Sequence, residues 1–211
     1  MEFAADICSG SNGQLMLKLL QVRPVGEFSD VSTTSYEKVE EEMSSVILKS
    51  GKALGAGYFE GMNYIIHIPS VTFDSARTRE MAAEVAELNK KLKAEEASYL
   101  LIGPGRWGSS DPWLGIPVVW SDISEAKMIV ETAIPGFQIE PSQGTHFFQN
   151  ITSLGVGYLT IDTVNHDGMI DEDMISFLEI VHDGEFVKLY KSPGRLSGFI
   201  DRSSNRAIIG Y

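Results

Sequence analysis

The sequence predicts an α+β fold: a mixed β-sheet with a long crossover helix, an N-terminal β-hairpin and a C-terminal antiparallel meander, with α/β as the alternative. Three observations lead there. Two extended runs flank an Asn12-Gly13 pair, one long amphipathic stripe occupies the middle of the chain, and the tail alternates short extended runs with Pro193-Gly194 and Ser204-Asn205 turn signals.

The elements follow in order. Residues 2–7 and 14–22 form the two arms of the hairpin, because Asn-Gly adopts the positive φ values of a tight strand connection. Pro24, with no N–H to offer a ladder, ends the second arm, and the Ser, Thr and Asp of residues 26–36 favour irregular backbone. The acidic run Glu37–Glu42 fits a short helix with a solvated face. Residues 45–49 and 63–68 are strand-like, separated by a glycine-containing stretch. The clearest helix spans residues 75–95, with Asp74 as N-cap and Met81, Val85, Leu88 and Leu92 on one stripe, while Arg79, Glu80, Glu84, Glu87, Lys90, Lys91 and Lys93 face solvent. Tyr99–Ile102 is a continuous apolar run suited to a strand buried on both faces. Strands at 117–120 and 127–133, a short helix at 145–153, a strand at 155–161 and a helical turn at 172–178 come next. The meander uses residues 185–191, 197–200 and 206–209. Three units result: the hairpin (1–27), a linker (28–44) and an α+β body (45–211).

A length of 211 residues suits one compact domain with a small appendage, and 43% apolar with 22% charged residues describes a globular chain. No apolar run reaches the roughly 18 residues that cross a bilayer, and the start lacks the features of a signal peptide, so a cytoplasmic location is expected. The single cysteine, Cys8, agrees with a reducing compartment. A net charge of −12 repels nucleic acid and anionic membranes, although a few local donors still suffice to hold one small phosphate.

Two segments carry most of the polar chemistry. The first, Gly103 to Asp111, sits within a stretch that holds all three tryptophans. Its glycines allow backbone N–H groups to converge on an anion, and Arg106 adds a bidentate clamp, which makes Gly105, Arg106, Trp107, Gly108, Ser109, Ser110 and Asp111 candidate ligand contacts. The spacing matches neither GxxxxGK[ST] nor GxGxxG, and the alternative is that the tryptophans fill a core while glycines turn corners. The second segment, residues 141–150, groups Gln143, Thr145, His146 and Asn150; positions 143, 146 and 150 share one helical face if the helix begins ahead of residue 145, and His146 is the candidate acid, base, phosphate donor or phospho-acceptor. His67 reads as packing within an apolar strand, and His166 and His182 precede Asp-Gly turns. Residues 165–173 are rich in oxygen ligands but lack the EF-hand spacing.

The hairpin also carries a resemblance. Glu2-Phe3-Ala4, an Asn-Gly turn and Leu19-Leu20-Gln21-Val22-Arg23-Pro24 resemble the last strands of the nucleotide-binding domain of phosphoenolpyruvate synthases and pyruvate phosphate dikinases, whose pattern is E-[FW]-x followed by L-Q-x-R-P. The resemblance implies an ATP-grasp kinase site in which Glu2 holds Mg²⁺ while Gln21 and Arg23 meet ATP phosphates. Residues 45–161, with "YLLIGPGRWGSSDPWLGIPV" and "PSQGTHFFQN", look like the C-terminal region of large proteins said to contain a phosphoenolpyruvate/pyruvate-binding domain. That likeness implies a transferase fragment, inactive alone, whose nucleotide-binding partner domain lies upstream, with a small phosphate or carboxylate as its second ligand. The synthases' phosphohistidine precedes a Leu-Gly-Ile-Pro stretch; Leu114-Gly115-Ile116-Pro117 is present, but Ser109, Ser110 and Asp111 stand where that histidine is sought. The alternative from another class is a non-catalytic scaffold or regulatory interaction domain.

Overall fold

A computed structural model describes residues 34–133, 151, 154–163 and 165–211, together with the backbone of two N-terminal strands. Those strands, β1 (Glu2–Ile7) and β2 (Leu15–Gln21), pair antiparallel from Ile7 opposite Leu15 to Glu2 opposite Gln21, so the expected hairpin forms, with a register centred on position 11 rather than on a two-residue Asn12-Gly13 turn. The turn itself lies outside the described residues.

The remaining strands are β3 (Val46–Ser50), β4 (Lys52–Leu54), β5 (Gly57–His67), β6 (Ser98–Pro104), β7 (Arg106–Trp107), β8 (Gly115–Ile116), β9 (Ala126–Thr132), β10 (Gly157–Ile161), β11 (Met169–Ile170), β12 (Glu179–Asp183), β13 (Lys188–Asp201) and β14 (Arg206–Gly210). All but the β7–β8 pair form one mixed sheet of order β11-β3-β14-β13-β5-β6-β9-β10-β4, with β12 also on β13. Within that sheet β5, β6, β9 and β10 run parallel and the other pairings are antiparallel, and the separate β7–β8 pair is parallel, so the fold is α+β.

The sheet curls back on itself. β3 and β4 are separated by Gly51 alone, yet β3 pairs with β14 and β4 pairs with β10 on the far flank. Ser50 closes the gap by donating its hydroxyl to the Thr160 carbonyl at 2.6 Å, and Ala53 N–H donates to Asn205 O at 2.8 Å. The period-two alternation of strand side chains then sorts residues into two layers. Leu100, Ile102, Met128, Val130, Leu159 and Ile161 point inward, while Tyr99, Leu101, Ile129 and Tyr158 point out toward the helix. Glycine is required inside the curl, since a Cβ at Gly198 would stand 2.1 Å from Met128 Sδ.

Helix α2 (Thr78–Ala94) crosses from β5 to β6 and buries Met81, Val85, Leu88 and Leu92. Asp74 caps a preceding 3-10 turn, Ser75–Arg77, by accepting Ala76 N–H at 2.9 Å, and the α-helical backbone starts at Thr78. Buried Asn89 is fully engaged: its amide donates to Ser121 O at 3.1 Å, and its oxygen accepts Tyr99 O–H at 2.9 Å and Glu125 N–H at 3.0 Å.

Four expectations are corrected. The short helix expected over Glu37–Glu42 forms as α1 (Tyr36–Glu42), but rather than lying in a free linker it buries Tyr36 and Val39 against Phe199 and Ile208 on the sheet. Residues 117–120 form no strand; Gly115–Ile116 pairs instead, and Trp120–Asp122 makes a 3-10 turn whose Asp122 carboxylate accepts Val119 N–H at 2.9 Å. The stretch between β3 and residue 63 holds β4 and the first half of β5. Pro193-Gly194 does not turn, because β5 pairs with β13 on both sides of it, and a register slip between Lys191 and Leu196 accommodates a residue lacking N–H. Helix α3 (Glu172–Ser176), capped by Asp171, matches the expected turn. Among the described residues no helix is long and apolar enough to cross a membrane.

Candidate functional site at the carboxyl ends of the parallel strands

Strands β5, β6, β9 and β10 end side by side at His67, Pro104, Thr132 and Ile161. In sheets with parallel strands, ligands bind in the crevice outside such ends, where the connecting loops emerge. The glycine-rich loop leaves from β6, and the chain toward residues 141–150 leaves from the adjacent β9, with Pro104 opposite Thr132. The parallel pairing of β6 with β9 thus sets the start of the glycine-rich loop beside the end of β9, while residues 141–150 lie outside the described residues.

The loop is built by internal hydrogen bonds. Gly105 N–H donates to Thr132 O (2.9 Å), Arg106 N–H to Leu114 O (2.7 Å), Trp107 N–H to the Glu131 carboxylate (3.0 Å) and Gly108 N–H to Ile116 O (2.8 Å). An anion cradle made from these four N–H groups, which the glycine content suggests, is therefore not formed: every donor is already satisfied within the protein. The glycines serve packing instead. A Cβ at Gly103 would lie 2.5 Å from the Trp107 ring, and one at Gly115 would lie 1.9 Å from Arg106 O. Gly105 and Gly108 supply φ values of +71° and +77°.

The three tryptophans divide. Trp107 is 1% exposed and donates its indole N–H to Val130 O at 3.0 Å, so its ring is a core group rather than a ligand contact. Trp120 is half-buried against the same core, and Trp113 is 60% exposed. Arg106 is half-buried at the start of the loop, Ser109 is half-buried, and Ser110 and Asp111 are exposed. Ser109 Oγ donates to Asp111 O at 3.0 Å and accepts Asp111 N–H at 3.2 Å, while the Asp111 carboxylate accepts Trp113 N–H at 3.0 Å. Ser109 and Asp111 thus shape the turn.

Two residues that composition does not single out sit beneath this end. Glu131 is buried in β9, where it accepts Trp107 N–H and, at 2.7 Å, Tyr158 O–H. One carboxylate therefore ties the loop to β9 and β10. His67, at the end of β5, is 3% exposed; its Nδ1 has no hydrogen-bond partner, and Nε2 lies 3.5 Å from Glu172 of α3. Burial, helped by the Lys188 cation, lowers the imidazole to about 4, so His67 is neutral near pH 7. Burial raises the Glu172 carboxyl as well. The signal for Glu131 is visible afterwards in KMIVET, a single acid inside an apolar strand; nothing in YIIHI distinguishes a mouth-facing histidine from a packing one.

Of the remaining candidates, Glu2 and Gln21 are backbone neighbours across the hairpin. Arg23, Gln143, Thr145, His146 and Asn150 lie outside the described residues. His166 sits in a turn with φ of +58°, as its Asp-Gly context predicts, whereas His182 belongs to β12. No group of three His, Cys, Asp or Glu among the described residues could hold a metal ion.

No protein-family model, no curated protein and no solved structure matches this chain.

Proposed function

We propose that the chain is the C-terminal part of an ATP-dependent phosphotransferase of the phosphoenolpyruvate synthase or pyruvate phosphate dikinase type, acting in the cytoplasm on a small phosphorylated or carboxylated ligand. The observation that supports this reading is that the loop bearing Arg106, Ser109 and Ser110 leaves β6 at the carboxyl end of the parallel strands, beside the end of β9; Gln143, Thr145, His146 and Asn150 join it as part of the proposal. Guanidinium and hydroxyl groups at such a mouth recognise phosphate or carboxylate oxygens through charge-assisted hydrogen bonds. Arg106 supplies the charge, Ser110 supplies an exposed hydroxyl, and His146 supplies a proton donor or acceptor. Glu131 and the glycines hold the loop.

In the same reading the hairpin forms one rim of the nucleotide site of the parent enzyme. Its register, with Glu2 opposite Gln21, suits a carboxylate that holds Mg²⁺ beside an amide and the Arg23 cation that meet ATP phosphates. The metal neutralises phosphate charge during transfer. The net charge of −12 accords with a small-molecule substrate and an upstream nucleotide-binding domain as partners, rather than nucleic acid or membrane.

Calorimetry with phosphate, pyruvate and phosphoenolpyruvate on the wild type, Arg106→Ala and His146→Ala tests the ligand site. The expected result is binding weakened about tenfold or more by Arg106→Ala, the value of one lost charge-assisted contact. Equal binding by wild type and Arg106→Ala, or none by either, overturns it. A second reading, a scaffold domain, is favoured by one observation: every N–H from Gly105 to Gly108 is spent inside the fold.

A further inference from the structure

One edge of the sheet meets no further strand among the described residues. β13 is paired along one side by β5; along the other, β14 covers Ser197–Asp201 and β12 covers Lys188–Lys191. β12 therefore branches off the main strand path, and its outer side meets no strand among the described residues. All five of its residues, Glu179–Asp183, are exposed. The residue that ends α3, Phe177, is 88% exposed, and Ile180 and Val181 are exposed beside it. The pairing with β13 slips between Ile180 and His182, leaving Val181 with no residue opposite. Sheets protect such an edge with short length, charge, proline or a bulge; β12 is short, carries only acidic charges, Glu179 and Asp183, and has its slip at Val181, so its protection acts against acidic or like strands rather than against a basic one.

We propose that β12 is a docking edge for an extended segment of another protein that alternates apolar with basic residues, added as a further strand. Strand addition supplies the affinity through backbone hydrogen bonds, and side chains supply the selectivity. The charge on the page selects the occupant. Asp183 and Glu185 are paired with Lys188 and Arg77, but Asp173 and Glu179 have no ion-pair partner among the described residues, and the chain as a whole carries −12. A second copy of this chain is disfavoured. Two-fold pairing about Val181, the centre of β12, sets Glu179 opposite Asp183 of the other copy at both ends. Like charges directly opposite destabilise a ladder. A basic strand meets opposite charge at those positions, and Phe177, Ile180 and Val181 give its apolar residues a surface.

The test uses three synthetic probes on the full chain: KVKVKVK, the equally charged but proline-interrupted KVKPKVK, and EVEVEVE. Backbone amide NMR locates binding, and fluorescence anisotropy at low and high salt measures it. The expected result is that KVKVKVK shifts amides within residues 177–183, that KVKPKVK binds about tenfold more weakly, and that EVEVEVE does not bind. The double variant Asp173→Lys, Glu179→Lys and the single variant Phe177→Ser each weaken KVKVKVK while leaving the fold intact, since all three side chains are on the surface. Equal binding of the two basic probes, shifts scattered over the acidic surface, or self-association through β12 without peptide overturns the proposal. Neither outcome bears on the ligand mouth at the other strand ends.

Discussion

Glu131 concentrates what single residues contribute to this protein. A carboxylate inside an apolar strand is costly unless hydrogen-bonded, and here it accepts from a backbone N–H and a phenol. Glu131→Ala leaves both donors buried without that acceptor, so urea unfolding should show a loss of roughly 3 kcal/mol at unchanged slope. Gly103→Ala acts on the same joint by forcing a methyl into the Trp107 ring; overpacking of this kind costs roughly 1–3 kcal/mol, and the quenching of Trp107 fluorescence should change with it. His67 gives a pH dependence. Its folded pKa, about 4, lies below the unfolded value near 6.5, so the unfolded chain takes up the proton first as pH falls. Native stability therefore declines from pH 6.5 toward pH 4, by roughly 3 kcal/mol over the full window. Glu172, raised by burial, takes up its proton more readily in the folded chain and so opposes this decline. His67→Leu should flatten the decline between pH 6.5 and 5 in thermal melts.

At the scale of elements, α2 was legible because one stripe of large apolar residues repeats at helical spacing over seventeen residues, and every stripe position is buried as read. Val85→Ala should cost roughly 2–3 kcal/mol in denaturant unfolding, since its site is sealed between helix and sheet. β6 was legible for a similar reason: a continuous apolar run signals burial on both faces, and the helix-side layer around Tyr99 and Leu101 and the inner layer around Leu100 and Ile102 provide it. Short elements escaped. β7 and β8 have two residues each, and their pairing depends on Gly115 admitting the Arg106 backbone, a contact between residues nine apart that no local pattern encodes. β13 escaped for the opposite reason, because a Pro-Gly pair that turns a free chain is held straight when β5 flanks it on both sides. Helix α3, with only Ile175 fully buried, should exchange its amides faster than α2 in hydrogen–deuterium experiments.

The whole molecule is a sheet curled around one apolar layer and clad by helix on its outer face. Closure rests on chain segments far apart in sequence, Ser50 with Thr160 and Ala53 with Asn205, so the curl depends on non-local contacts rather than on any motif. The candidate site has the same origin: the loop at residues 103–111 emerges beside the end of β9 only because β6 and β9 pair in parallel. The sequence by itself determined the α+β class, the hairpin, the long helix and the central buried strand, since these follow from periodicity and turn chemistry within a short window of chain. Tertiary structure alone decided that the glycines of the tryptophan loop make room for an indole and a backbone rather than for an anion, that Glu131 and His67 stand under the mouth, and that β12 keeps an open edge. Each of these depends on which distant atom occupies a given few ångströms, and that information is spread over the whole chain.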